Sequence, residues 1–374
     1  MRLLFTTAPL PGHFHPLVPL AWAARAVGHE VLFATTEDFA PTVAGAGLPV
    51  VAWAPPTDVV ALVREESERD GTGRHGSAGR RLAHGRAFAR VAERCLDGAP
   101  AVLDAWRPHL VVSERAESAG PLAAAERGLP LVEFHWGAAE LPEYRQGAAQ
   151  WFGRALPDPD EVLTPWPTRL RRPYAAGFRS VRNIDYNGEA HVPTWALRPA
   201  ERPRVCVTFG TLLPRLADLP LRASITPVLR RLAALDHEIL IATDPATAAA
   251  WPELAECAAH VGRMPLAQLL PACELLVSHG GQGTVLTALG AGCPQLLLPQ
   301  FDDQFDNAEA VETAGAGRRL TPDRISPDAV LDQVTALLDD EVCAKNAALI
   351  AEEMATQPSL HETVGLLAEL AARR

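Results

Sequence analysis

The chain has 374 residues, 48% hydrophobic and 21% charged, which makes a packed globular protein of about two domains the default. Its net charge of −11 excludes a general nucleic-acid or membrane-surface binder, so an anionic ligand needs a local site. Cys95, Cys206, Cys257, Cys273, Cys293 and Cys343 form no C-x-x-C pair, which argues against a zinc site or a dense disulfide framework and fits reduced thiols.

The N-terminus, "MRLLFTTAPLPGH", lacks the apolar core of a signal peptide, and no stretch approaches ~20 apolar residues. The expectation is a cytoplasmic protein without membrane insertion. "RLLFTTA" (Arg2 to Ala8) reads as a strand, followed by a Pro/Gly turn and an amphipathic stretch from Pro16 to Val27. "VLFATT" from Val31 and "LPVVAWA" from Leu48 read as two more strands. The charged, Gly-containing segment from Glu65 to Gly79 reads as a mobile loop, and a helical stretch then runs to Trp106. "LVVSE" (Leu110 to Glu114) and "LPLVEFH" (Leu129 to His135) are further strands. Strands separated by helices predict a parallel sheet covered on both faces.

Glu161 to Pro203 is proline-rich and has no sustained period. The alternation then restarts with "RVCVTFGT", "HEILIAT", "LLVSHG" and "QLLLP". The predicted division is a domain over 1–190, a linker over 191–203, a second domain over 204–357 and a helical segment over 358–374. Two α/β domains in series, with ligands at the C-terminal ends of their strands, are the expected architecture.

In "ELLVSHGGQGTVLTALGAGCPQLLLPQFDDQ" (Glu274 to Gln304) an apolar run stops at Ser278-His279, and Gly280, Gly281 and Gly283 follow. These glycines let backbone N–H groups approach a ligand. A helix beginning near Gly283-Thr284 points its positive end at the same place, a combination suited to phosphate. His279 and Thr284 add side-chain donors. A tight strand-to-helix turn with no ligand is the plainer alternative. "VTFGT" ends a second strand in a glycine turn, with Gly210 and Thr211 as further phosphate donors. Two such turns in one domain point to a nucleotide diphosphate. The aspartates lie about twenty residues beyond the glycines, as a ribose-binding acid does in a nicotinamide enzyme. The G-x-G-x-x-G pattern fails, however, because position 286 is Leu286.

Val261 to Val311 carries, in order, V-G-x-x-P, L-L-P, H-G-G-x-G-T, A-G-x-P-x-x-x-x-P and D-Q-x-x-N-A. This pattern resembles the donor-binding signature of the family 1, GT-B nucleotide-sugar glycosyltransferases. "GHFHPLVPLAWAARAVGHEV" (Gly12 to Val31) and "RPHLVVSERAESAGPLAAAERGLPLVEFHWG" resemble the same family, especially the bacterial enzymes that decorate polyketides and other natural products. The resemblance covers nearly the whole chain and is weakest over Thr57 to Gly85 and Ala138 to Ala190. It implies the GT-B fold: α/β, with two Rossmann-like parallel-sheet domains facing across a cleft. It also implies that the 358–374 helix crosses back to the N-terminal domain.

Residue roles follow from the resemblance. His279 and Thr284, with the backbone of Gly280, Gly281 and Gly283, would hold the diphosphate, and Gly210 and Thr211 would help on the other side. Asp303 and Gln304 would hydrogen-bond sugar hydroxyls, with helix N-capping as the alternative for Asp303. The backbone of Val261, Arg263 and Met264 would contact the base, while the Arg263 side chain either stacks on it or faces solvent. His13 would take the acceptor's proton. His15 is its local rival, and the G-H-x-x-P pattern favours His13. Glu114 would fix the His13 tautomer, unless it is an ordinary surface charge.

The implied activity is inverting transfer of a deoxysugar from a TDP- or UDP-sugar to a hydrophobic natural-product aglycone, as in antibiotic biosynthesis. No Asp-x-Asp motif is evident, so no metal ion and no further cofactor is expected. The expected partners are donor and acceptor, not nucleic acid, and a homodimer or an auxiliary protein is compatible with the resemblance. The rival classes are a nucleotide-sugar epimerase of the same architecture and a non-catalytic donor-binding helper. TDP against UDP, and carbon–oxygen against carbon–carbon bond formation, stay open.

Overall fold

The computed structural model of the chain describes residues 1–69, 78–188, 191–198, 200–210, 221–234 and 237–373. The chain forms two compact units. One comprises Met1–Thr168, Arg172–Gly188 and Gln357–Arg374, the other Arg169–Arg171 and Glu189–Thr356.

The first unit is built on β1 (Arg2–Thr6), β2 (Glu30–Thr36), β3 (Val50–Ala54), β4 (Leu110–Glu114), β5 (Leu131–Phe134), β6 (Glu161–Thr164) and β7 (Arg179–Ser180). They pair in the order β3-β2-β1-β4-β5-β6-β7, and every pair is parallel. The period-2 alternation of β1 splits its side chains between two cores. Leu3 and Phe5 pack with Leu17 and Leu20, and with Val364 and Leu367 of the helix Leu360–Ala372. Leu4 packs with Phe88, Val91 and Ala92 of the long helix Ala78–Trp106. Each fully buried aliphatic side chain stabilises by about 1.5–3 kcal/mol relative to exposure. The helix Leu360–Ala372 opens on a capping box, in which Ser359 Oγ accepts from Glu362 N–H and the Glu362 carboxylate accepts from Ser359 N–H.

Two expectations change here. β6 and β7 lie in the proline-rich stretch; at 4 and 2 residues they are too short to show an alternating pattern. The segment from Glu65, read as a loop, begins inside the helix Val59–Arg69. Glu66 on that helix is buried, and its carboxylate accepts from Arg86 Nε and Arg90 Nη1, both at 3.1 Å. A residue of the segment read as a loop thus holds two helices together. Residues 70–77 of the same segment lie outside the described residues.

The second unit contains β8 (Arg204–Thr208), β9 (Glu238–Ala242), β10 (His260–Gly262), β11 (Leu275–Ser278), β12 (Gln295–Leu297) and β13 (Gly317–Arg319). Their order is β10-β9-β8-β11-β12-β13, again all parallel. Val205, Val207, Ile239, Ile241, Leu275 and Val277 fill the core on one face. Cys206, Leu240 and Leu276 fill the other. All six cysteines are buried free thiols. Among the described residues no helix is long and apolar enough to cross a membrane, and no His, Cys, Asp or Glu cluster is arranged to hold a metal ion.

Each sheet reverses its strand order once, between β1 and β4 in the first and between β8 and β11 in the second. The loops leaving the C-terminal ends of the two strands at such a point run to opposite faces and open a crevice. The four loops concerned carry His13, the residues after Glu114, Gly210 and His279.

Candidate active site

In the first unit, β1 runs into an extended Leu10 and then the short helix Pro11–Phe14, with proline at its first turn. Phe14 is fully buried, edge-on to Phe33 and Phe39. That anchor fixes the turn and holds His13 beside the end of β4. Nδ1 of His13 lies 3.0 Å from Oε1 of Glu114. Glu114 is fully buried, so it is no surface charge.

The Glu114 carboxylate is held on every side. Oε1 also accepts from Ala8 N–H at 3.3 Å, and Oε2 accepts from Ala116 N–H and Trp136 Nε1, both at 2.8 Å. Burial pushes the carboxyl up, but the His13 charge and hydrogen bond, with the Ala116 and Trp136 donors, outweigh it and hold it below the usual range. An ionised carboxylate only accepts, so the His13 nitrogen that faces it, Nδ1, is the one that donates. Phe88 and Trp136 pack against the ring, with centroids at 5.2 Å and 4.7 Å. His15 turns elsewhere, edge-on to Tyr186 at 5.1 Å. Ser113, the neighbour of Glu114, turns its hydroxyl to Glu117 O and Oε2, both at 3.2 Å, and to the Glu114 carbonyl at 3.3 Å.

In the second unit, β11 ends at Ser278 and the turn His279-Gly280-Gly281 leads into the helix Gln282–Gly290. Gly281 is the N-cap of that helix and provides no side-chain cap. Gly210 has φ +65°, and a Cβ there would lie 2.8 Å from Cε1 of His279. A Cβ on Gly281 would overlap Nε2 of the same ring. Glycines from two separate turns therefore make the slot for one imidazole. Burial lowers the His279 pKa to about 4, with the Thr208 backbone opposing. At neutral pH the ring is an uncharged donor. Its Nδ1 is buried with no hydrogen-bond partner among the described residues. Thr284, in the first turn of the helix, is partly exposed. A Cβ on Gly283 would meet nothing within 4 Å. Gly210 N–H donates to Thr208 Oγ1 at 3.3 Å, and Thr211 lies outside the described residues.

After β12 the loop reaches Asp302, a buried non-glycine residue at φ +44° that caps the helix Asp303–Thr313. Asp303 is therefore the first helical residue and not the cap. Its Oδ2 accepts from Asn307 Nδ2 at 2.9 Å, and the same Nδ2 donates to Gly280 O at 3.0 Å. Gln304 is buried, and its Oε1 accepts from Gln300 N–H at 2.9 Å and Phe301 N–H at 3.4 Å, closing the loop. Its Oε1 is thus engaged within its own loop. Val261 and Arg263 flank Gly262 at the end of the edge strand β10; Arg263 is exposed, and Met264 packs into the core.

Two residues escaped the sequence reading. Asn307 stands in the D-Q-x-x-N-A pattern, one helical turn from Asp303, and that i,i+4 spacing was the available signal. Trp136 follows β5, the strand beside β4, and its position past a strand end was the only clue.

The sequence matches the erythromycin biosynthesis protein CIII-like N-terminal domain over residues 22–210 and the C-terminal domain of the same description over residues 226–370. The chain belongs to the erythromycin biosynthesis protein CIII-like family. Similar proteins include the L-demethylnoviosyl transferase of Streptomyces niveus, 38% identical over 86% of this chain and 86% of that one. The aclacinomycin-T 2-deoxy-L-fucose transferase of Streptomyces galilaeus is 31% identical over 100% and 96%. Among solved structures, the Streptomyces sp. SF2575 glycosyltransferase SsfS6, complexed with thymidine diphosphate, superposes with a TM-score of 0.83 at 33% identity, covering 99% of both chains. This CIII-like protein is a GT-B glycosyltransferase of the natural-product type.

Proposed function

We propose that this glycosyltransferase transfers a deoxysugar from a TDP- or UDP-sugar to a hydroxyl of a hydrophobic antibiotic aglycone, with inversion and with His13 as general base. The observation that supports the reading is His13 Nδ1 lying 3.0 Å from Oε1 of the buried Glu114 carboxylate, a pairing that favours the Nδ1–H tautomer and turns Nε2 to the acceptor. The names of the relatives and the thymidine diphosphate bound to SsfS6 support a TDP-deoxysugar as donor.

In this reading the acceptor hydroxyl donates to His13 Nε2. Its oxygen forms the new bond to the anomeric carbon from the face opposite the nucleotide while the proton passes to Nε2. The bond from the anomeric carbon to the diphosphate breaks, and its electron pair leaves with the phosphate. Glu114 steadies the imidazolium. On the donor side the N-terminus of the helix Gln282–Gly290, Thr284 and the neutral His279 meet the growing negative charge. Asp303 and the amide nitrogen of Gln304 take sugar hydroxyls, and the backbone from Val261 to Met264 takes the base. No step in this reading needs a divalent ion.

The test is a mass-spectrometric screen of TDP- and UDP-sugars against polyketide, macrolide and aromatic aglycones, with EDTA present and absent. The anomeric configuration of any product is then read by NMR. A glycoside inverted at the anomeric carbon, formed equally with EDTA, is expected. Epimerised donor sugar without an acceptor, or retention of configuration, sinks the proposal.

A further inference from the structure

Glu114 sits where it must do two things at once: stay ionised without water, and present one oxygen to His13 at a fixed angle. Its terminal torsion is a broad, soft coordinate, so something other than rotamer preference has to hold it. Oε1 faces His13 and the Ala8 N–H, and Oε2 is gripped by the Ala116 N–H and by the indole N–H of Trp136 at 2.8 Å. Trp136 is the side-chain donor on the oxygen that faces away from the histidine. Its ring also stands edge-on to the His13 imidazole, 4.7 Å between centroids and 67° between planes. One residue therefore touches both members of the pair.

Trp136 is itself held from behind. It is buried, and the Arg115 guanidinium lies over its ring at 5.5 Å. Arg115 Nη1 donates to the carbonyls of Trp136 and Ala139 at 3.2 Å and 2.6 Å, and Tyr174 Oη donates to Ala139 O at 2.7 Å. The loop after β5 is pinned at four carbonyls, because Arg115 Nη2 also bonds Glu140 O and Tyr174 Oη lies 3.3 Å from Ala138 O. This is more fixation than an exposed wall of a substrate pocket requires.

We infer that Trp136 is a positioning residue of the transfer reaction: its indole N–H locks the Glu114 carboxylate, and through it the Nδ1–H tautomer of His13. The inference rests on the reading of His13 as base. Without the donor, Oε2 keeps a single backbone hydrogen bond, the carboxylate rotates, and the imidazole samples the tautomer that presents N–H to the acceptor.

The test uses the full chain with tryptophan 136 replaced by 3-benzothienylalanine, which keeps the ring shape and lacks the N–H, and a parallel Trp136→Phe variant. Thermal melts check folding of both. Nitrogen-15 spectra of histidine-labelled protein report the His13 tautomer, its signals being assigned by their loss in His13→Gln. The expected result is a single Nδ1–H tautomer in the parent and a mixture in both variants. With it comes a fall in kcat on the order of 10-fold and unchanged KM for donor and acceptor. The fall shrinks when Glu114 is already glutamine. An unchanged tautomer and kcat in the benzothienyl protein overturns the inference. So does a rise in acceptor KM at constant kcat, which makes Trp136 a substrate wall. Should His13→Ala keep its turnover, the base reading fails by itself, while the tautomer still decides whether Trp136 governs His13.

Discussion

Asn307 donates to the carboxylate of Asp303 at 2.9 Å, one helical turn away. Because the same nitrogen also reaches Gly280 O, the turn proposed to hold phosphate and the acid proposed to hold the sugar share one fully buried side chain. Asn307→Asp would set a second carboxylate against two acceptors. The expected result is a loss of about 1–3 kcal/mol in denaturant unfolding, together with a raised donor KM and an unchanged acceptor KM. Parent-like donor KM in a folded Asn307→Asp protein would separate the two turns.

The base assignment predicts that His13→Ala lowers turnover of a hydroxyl acceptor by roughly 10²–10⁴ while free-nucleotide affinity stays the same. His15→Ala should do less, since that ring packs on Tyr186. Glu114→Gln should fall between them. Single-turnover kinetics across pH is the check, and wild-type rates in His13→Ala with a dead His15→Ala would reverse the assignment.

Gly281 and Gly283 separate fold from ligand. A methyl at 281 collides with the His279 ring, whereas one at 283 meets only open space inside a helix. Gly281→Ala should lose both stability and TDP affinity. Gly283→Ala should gain about 0.5–1 kcal/mol in unfolding experiments, as glycine-to-alanine changes in helices do, yet bind TDP more weakly. Calorimetric titration with TDP settles it; an unweakened Gly283→Ala would mean that phosphate does not approach there.

Asp303→Ala should weaken sugar-nucleotide binding more than TDP binding. Gln304→Ala should weaken both, because its carbonyl oxygen closes the 300–304 loop before any sugar arrives. Equal losses for sugar nucleotide and TDP in Asp303→Ala would leave that acid with a structural task only.

His279 makes stability depend on pH in a defined direction. Its folded pKa of about 4 lies below the ordinary 6.5, so between those values the unfolded chain binds more protons. Its contribution is complete above pH 6.5 and is lost as pH falls towards 4. The stability gap between parent and His279→Gln should therefore shift in favour of the glutamine variant across that window in guanidinium titrations. A gap that is constant with pH would show that the imidazole titrates normally.

The sequence made the sheets legible where strands were long and wholly buried: Leu3 to Phe5, Leu110 to Val112 and Leu275 to Val277 are apolar runs bounded by polar turns. The shortest edge strands escaped, although the five-residue edge strand β3 was read. β7, β10 and β13 have two or three residues each, and no periodicity exists over such lengths. The segment from Glu65 was read as a loop because its charge does not reveal two arginines that meet Glu66 from another helix. At the site, residue types and strand ends pointed to His13 and Glu114, but a hydrogen-bond network is a property of three dimensions. Nothing in "FHWG" says that the tryptophan N–H meets Glu114, and nothing in "FDDQ" says that Gln304 turns back on its own loop.

The helix Leu360–Ala372 shares a core with β1, so the first unit needs residues synthesised after the whole second unit. On the ribosome, at about 5–20 residues per second, the usual order of N-terminal domain first cannot run to completion. The nascent first sheet waits with the surface around Leu17 and Leu20 uncovered until residues 360 to 372 emerge. The second unit, whose residues are contiguous apart from Arg169–Arg171, is the one free to mature early.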